Sequence, residues 1–228
     1  MKPLFNHPWN ISVNEAIELQ KGLSRKIIKN DCFSEIKYIA GADVAYKADS
    51  ELLTAAVVIL DASNHSIIES ITVTSKATFP YVSGLFSFRE TPALLKAFKK
   101  VTITPDLIIC DAQGYAHPRR FGLACHLGLV MDTPTIGCAK TPMIGQYNEP
   151  GETRGSTSNI IIDNNEIIGN AVRTQTNVNP VFVSLGHKIS LETATEWVLK
   201  LSPKYRLPET TRLADQLSRS NKTRASKP

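Results

Sequence analysis

Asp111 closes the apolar run Leu107-Ile-Ile-Cys110 and is followed by a Gly-containing turn and the set Ala116-His117-Pro118-Arg119-Arg120. A buried strand that delivers a carboxylate at its C-terminal end is how open α/β sheets build their sites. Asp43 interrupts an otherwise uncharged stretch from Ile39 to Tyr46. A charge in a central strand is costly to bury unless it is paired or binds a metal. Glu90 stands directly before Thr91-Pro92, a pair that reads as the opening of a helix. Each acid has a plain alternative reading: a turn acid for Asp43, and for Glu90 a carboxylate that favours the helix dipole. Together, arriving from separate segments, they suggest a site of hard oxygen ligands suited to a divalent cation such as Mg²⁺.

The two arginines after Pro118 read as the first turn of a helix over residues 118–130. There they oppose the helix dipole, and an anion such as a phosphate explains them better than helix stability does.

The elements that must position these groups follow from periodicity. Residues 11–28 form an amphipathic pattern with Ser12 as N-cap. Three strands rich in Val, Ile and Thr follow at 36–45, 52–61 and 66–75, joined by short polar turns. Then come a helix over 91–100, the strand at 107–110, the helix over 118–130 and a strand at 135–139. Further strands are expected at 159–163, 166–172 and 181–185, a helix capped by Ser190, and a last short helix from about Glu209 to Ser218. An antiparallel meander followed by α, β, α, β is the order of a ribonuclease H-like fold. The expected architecture is α/β: a mixed sheet of the five-stranded type flanked by helices, with an additional small β element. In it the first strand is central and the strand ending on Asp111 pairs beside it, so Asp43 and Asp111 become neighbours.

Composition sets bounds. With 228 residues and 42% hydrophobic side chains the chain has ample core material. No linker or composition shift precedes about residue 202, so residues 1–218 read as a single domain and 219–228 as a disordered basic tail. Of the 26 Lys and Arg, seven lie from Lys204 onward against two of the 21 acids, so the chain before it carries 19 of each sign. Such a tail attracts nucleic acid without reading sequence, or simply aids solubility. Cys32, Cys110, Cys125 and Cys138 form no CxxC pair. That usage argues for reduced thiols and against a zinc site or a disulfide framework. No signal peptide or membrane-length apolar run is visible, so a soluble, cytoplasmic protein with no membrane partner is expected. With no coiled-coil pattern or large apolar stripe, a monomer is the default.

Beyond these residues, the chain resembles the endonuclease V family, nucleases that recognise deaminated adenine as inosine or deoxyinosine. The resemblance runs from about Ile36 to Asp215. It is carried by Ala40-Gly-Ala-Asp43-Val, by Pro80-Tyr81-Val-Ser-Gly84-Leu-Phe-Ser-Phe-Arg89-Glu90, and by Pro105-Asp106 through Asp111 to His117-Pro118-Arg119. Gly137-Cys-Ala-Lys140, Val183-Ser-Leu-Gly-His187-Lys-Ile-Ser190-Leu and Arg206-Leu-Pro-Glu-Thr-Thr-Arg212-Leu-Ala-Asp215 continue it in order.

The resemblance implies that Asp43, Glu90 and Asp111 form the acidic metal site, with Asp215 where members carry His or Asp. The ion would be Mg²⁺, with Mn²⁺ as a substitute. Lys140 takes the place of a catalytic lysine, and Tyr81 that of a wedge that separates strands at the lesion. Gly84, Leu85, Gly114, Gly137 and Ile144 are implied around the flipped base. Arg119 is implied as substrate-binding, and His117 as contacting phosphate or the surroundings of the metal, with capping of the helix at Pro118 as its alternative. An alternative for the glycines is an ordinary turn role. Ser83 and Ala112 depart from the proline and glycine usual in the family. The implied reaction is hydrolysis of the second phosphodiester bond 3′ to the inosine, initiating DNA repair. Partners would be single- or double-stranded DNA and inosine-containing RNA. Competing readings are another ribonuclease H-like nuclease, or a non-catalytic nucleic-acid-binding protein on the same fold. Asp106 is expected to be structural, His126 and His187 packing or loop residues, and His7 and His65 surface residues.

Overall fold

Alternating Val, Ile and Thr side chains form the antiparallel meander β1 (Tyr38–Tyr46), β2 (Leu52–Asp61) and β3 (Ile67–Lys76) in the computed structural model, which describes residues 2–47 and 50–224. The apolar strands β4 (Leu107–Cys110) and β5 (Thr135–Ala139) add in parallel, β4 beside β1 and β5 beside β4. Both are buried at every position, as parallel central strands are. The hairpin β6 (Thr157–Ile162) and β7 (Glu166–Val172) joins the same sheet through β8 (Val181–His187), which runs antiparallel to β5. The eight-stranded order is β3-β2-β1-β4-β5-β8-β7-β6. Its first five strands have the ribonuclease H-like arrangement, and the expected additional β element extends that sheet.

Five α-helices are described: α1 (Val13–Ser24), α2 (Phe86–Phe98), α3 (Leu123–Met131), α4 (Leu191–Lys200) and α5 (Glu209–Arg224). Ser12 and Glu15 cap α1 reciprocally, and Ser190 caps α4 through the Thr193 amide.

Four helix boundaries differ from expectation. α1 ends at Ser24 and not at residue 28. Thr91-Pro92 does not open α2; the helix begins at Phe86, and Pro92 lies inside it. Burial of Ser87, Phe88, Thr91, Leu94 and Phe98 along one stripe outweighs the local proline signal. Pro118 is in a turn, and α3 starts only at Leu123 after Gly122. The expected tail is helical from Arg219 to Arg224 as the continuation of α5, and residues 225–228 lie outside the described residues.

The sheet has two distinct faces. Ala40 and Ala42 of β1, with Leu53, Ala55, Val57 and Ile59 of β2, pack against Leu94 and Phe98 of α2 and Leu127 of α3. Each fully buried Leu, Ile or Phe there contributes about 1.5–3 kcal/mol. On the opposite face Val58 and Leu60 pack against Ala214 of α5. A Cβ on Gly41 would lie 2.0 Å from the Thr210 carbonyl oxygen. Glycine is therefore what lets the start of α5 rest on the β1 backbone, with the rest of the helix running over Asp43.

Asp106 is structural, accepting from the Lys37 and Tyr38 amides at 2.8 and 2.9 Å and so pinning the start of β1. His7 is not a surface residue. It is buried, with its Nε2 2.6 Å from Nε2 of His126, because the N-terminal segment folds back onto α3. His126 and His187 are buried, as packing residues are, and His65 is partly exposed in its turn. Cys110, Cys125 and Cys138 are buried free thiols and Cys32 is exposed. Among the described residues, no helix is long and apolar enough to cross a membrane.

Candidate active site

Parallel pairing of β1 with β4 sets Ala42 beside Cys110, and the Asp111 amide donates to the Ala42 carbonyl at 3.2 Å. Asp43 and Asp111 are thereby adjacent at the C-terminal edge of the sheet. Asp215 of α5 completes a cluster in which Asp43, Asp111 and Asp215 each offer an oxygen within 4.8 Å of the others. Three carboxylates this close repel one another unless cations compensate.

Lys140, one residue past β5, places Nζ 2.5 Å from Asp111 and 3.4 Å from Asp215. Burial works against its charge, but the Asp111 hydrogen bond and charge prevail and raise its pKa. Burial also raises the Asp43 carboxyl, while the Ser218 hydroxyl, donating to it at 2.6 Å, partly offsets this. Arg219 adds a second cation at the rim, 2.8 Å from Asp215.

Glu90 comes from the other face of the sheet, on the second turn of α2, and accepts from the Tyr46 hydroxyl at 2.6 Å. Burial, with Asp43 and Asp111 nearby, pushes its carboxyl up to about 7.

Two cavities of about 450 Å³ meet at this cluster, sharing Asp111 and Lys140. One holds Asp43, Tyr46, Asp215 and Arg219; the other is a cleft lined by Gly84, Phe86, Glu90, Gln113, His117 and Met143, among others. Its volume lies within the roughly 300–1,000 Å³ of small-ligand sites. A larger groove, about 950 Å³, runs along β6 beside Tyr147 and has none of the clustered acids.

A family model described as endonuclease V matches residues 21–216. The chain belongs to the endonuclease V family. Endonuclease V of Nostoc punctiforme is 47% identical over 219 residues, covering 96% of this chain and 99% of its own. The crystal structure of endonuclease V from Streptomyces avermitilis superposes with a TM-score of 0.90 at 42% identity, covering 96% of each chain. Endonuclease V of Ciona intestinalis, solved in complex with a 24mer DNA containing an inosine followed by a ribo-adenosine, gives a TM-score of 0.84 at 33% identity. That match covers 94% of this chain and 99% of the Ciona chain. Members of this family are nucleases, and the ribonuclease H-like fold is theirs.

Of the residues that the sequence marks as endonuclease V-like, the structure brings Asp43, Asp111, Asp215 and Lys140 into one cluster, with Glu90 across the shared wall. Tyr81 is 68% exposed, its ring against Phe86 at 4.7 Å. Gly84 and His117 line the cleft, the His117 Nε2 donating to the Gly84 carbonyl at 3.0 Å, and burial pushes the imidazole down to about 4.

The other marked residues sit differently. Leu85 is buried with Phe79 and Phe88, and its neighbour Phe86 lines the cleft instead. A Cβ on Gly114 would lie 2.2 Å from the Leu185 carbonyl oxygen and one on Gly137 2.3 Å from the Gly114 amide nitrogen, so these glycines lie packed behind the cleft wall. Ile144 packs on the core.

Arg119 and Arg120 are not in a first helical turn. Arg119 donates to Gln20 and to the Gly84 carbonyl, and Arg120 pairs with Glu166 at 2.9 Å. They cross-tie segments, which removes the helix-dipole argument for a phosphate. Sequence reasoning missed Tyr46, Gln113 and Ser218. Ser218 had a signal, standing three residues after Asp215 on one helix, and strand alternation sets Tyr46 on the face opposite Asp43.

Proposed function

We propose that this chain is a Mg²⁺-dependent endonuclease that recognises inosine in nucleic acid and hydrolyses the second phosphodiester bond 3′ to it. The observation that carries this is the cluster of Asp43, Asp111 and Asp215 oxygens sharing a wall with a base-sized cleft. An all-carboxylate oxygen set compressed to this spacing fits a hard divalent cation, Mg²⁺ with Mn²⁺ as a substitute.

Asp43, Asp111 and Asp215 would hold the ion, and Glu90 would complete the set from the α2 side. A bound Mg²⁺ supplies Lewis-acid polarisation and a more acidic water. The chain's own residues do the rest. Lys140, already in contact with Asp111, sets a positive charge where the scissile phosphate gathers negative charge. Ser218 keeps the Asp43 carboxylate aimed at the cluster. The exposed ring of Tyr81 inserts beside the lesion and offsets lost stacking, as aromatic and apolar wedges do. The cleft receives the extruded base, where hydrogen bonds to its edge distinguish hypoxanthine from adenine. The inosine-containing DNA in the Ciona relative supports this substrate class, and with it a role in DNA repair.

The test is an end-labelled DNA strand carrying one deoxyinosine, incubated with Mg²⁺ and the wild-type or Asp111→Ala protein. The expected result is a nick one nucleotide 3′ of the lesion, absent without Mg²⁺ and absent in the variant. No nick in this strand or in a single-stranded inosine RNA overturns the reading.

A further inference from the structure

We propose that Tyr46 is a positioning residue joining Tyr81 to the acidic site: its hydroxyl orients Glu90 and its ring braces Tyr81. This rests on the inosine-nuclease reading. Strand alternation supplies the basis. Ala40, Ala42, Val44 and Tyr46 face the α2 side, whereas Asp43 meets Ser218 of α5. Tyr46 therefore reaches the face of the sheet from which Glu90 arrives.

Its hydroxyl donates to Glu90 Oε1 at 2.6 Å, a short O–H···O hydrogen bond. The Tyr46 ring also meets Tyr81 edge to face, with centroids 6.1 Å apart and planes at 80°. Arg89, the residue before Glu90, lies 5.6 Å from the Tyr46 ring centre and donates to the Phe79 carbonyl. That cation fixes the ring from a further side.

Among the described residues, Phe86 and Tyr46 are the ring partners of Tyr81, and of the two it is Tyr46 that also hydrogen-bonds an acid of the site. Tyr46 lines the acidic cavity with Asp43, Asp111 and Asp215. A shift of Tyr81 on meeting a nucleic acid is thus transmitted through one rigid ring to Glu90.

Two substitutions separate the two contacts. Tyr46→Phe keeps the ring and removes the donor. Mn²⁺ affinity measured calorimetrically on the free protein should fall roughly 10-fold, the usual range for loss of a hydrogen bond that orients a ligand. The Mg²⁺ concentration for half-maximal cleavage should rise in parallel, with the ratio of duplex to single-strand cleavage unchanged. Tyr46→Leu removes both contacts. It should show the same metal defect and a further several-fold loss on duplex alone. It should also lose the fluorescence rise of 2-aminopurine placed beside the inosine on binding in Ca²⁺.

Melting temperatures of both variants separate these effects from misfolding. Unchanged Mn²⁺ affinity in folded Tyr46→Phe, or equal losses on duplex and single strand in Tyr46→Leu, overturns the proposal. If the wild-type protein cuts no inosine substrate, the functional reading fails instead, and the calorimetric arm still decides the role of the hydroxyl.

Discussion

The two cavities that share Asp111 and Lys140 are built by different means. The acidic one is made of side chains: Asp43 from β1, Asp111 after β4, Lys140 after β5 and Asp215 from α5. The cleft depends more on main-chain placement. The Gly84 carbonyl gathers donors from Gln20, His117 and Arg119, and its back wall is set by Gly114 against Leu185 and Gly137 against Gly114. The acidic cavity is thus built of groups that can be exchanged one at a time, whereas the cleft is a surface that moves only if the packing behind it moves.

The largest effect that sharpens this contrast is on the acidic side. Asp111→Asn should lower cleavage of a deoxyinosine strand by at least about 100-fold, because it removes a carboxylate that would hold the metal, and losing a group that only orients such a ligand already costs about 10–100-fold. Binding of the same strand in Ca²⁺ should persist, as measured by fluorescence anisotropy. Loss of binding equal to the loss of rate would erase the division between the two cavities.

Gly114→Ala tests the other side. Its Cβ would meet the Leu185 carbonyl oxygen at 2.2 Å, and such overpacking costs about 1–3 kcal/mol. The melting temperature should drop by roughly 2–4 °C per kcal/mol, and discrimination between inosine and adenosine strands should weaken. Calorimetric Mn²⁺ affinity should hold; a fall in it would show that the cavities are not separable.

A smaller effect is expected from Ser218→Ala, which removes the 2.6 Å hydrogen bond to Asp43. Metal affinity should weaken by about 10-fold, with inosine discrimination unchanged.

The last is a pH effect at the shared wall. Glu90 has its carboxyl raised from 4.5 to about 7, chiefly by burial. Between those values the folded chain keeps a proton that the unfolded chain releases. The stabilisation is therefore complete below pH 4.5 and is lost as pH rises to about 7. In metal-free buffer the melting curves of wild type and Glu90→Gln should diverge across that window. A difference independent of pH would count against the assignment.

Much of this contrast tracks what could be read from the chain. Asp43, Asp111 and Lys140 were legible because each breaks or ends an apolar strand, and strand pairing dictates which residues emerge together. The sequence marks Glu90 for the acidic cluster, but it does not show the setting of that residue. Pro92 suggested a helix start, while long-range burial of Phe88 and its neighbours starts α2 at Phe86. Leu85 is implied for the cleft by the resemblance, whereas Phe86 lines it. Adjacent residues at a helix start point about 100° apart, and only packing decides which faces inward.

By itself the sequence determined the meander, the strands that deliver the acids and the hard oxygen-donor character of that cluster. These depend on side-chain alternation and on the chemistry of each residue, both local properties. Only the tertiary structure decided that Asp215 and Ser218 hang over Asp43, that Tyr46 spans from Tyr81 to Glu90, and that Arg119 and Arg120 are cross-ties. Each of these depends on how two distant segments approach, which is set by the packing of the whole sheet and its helices.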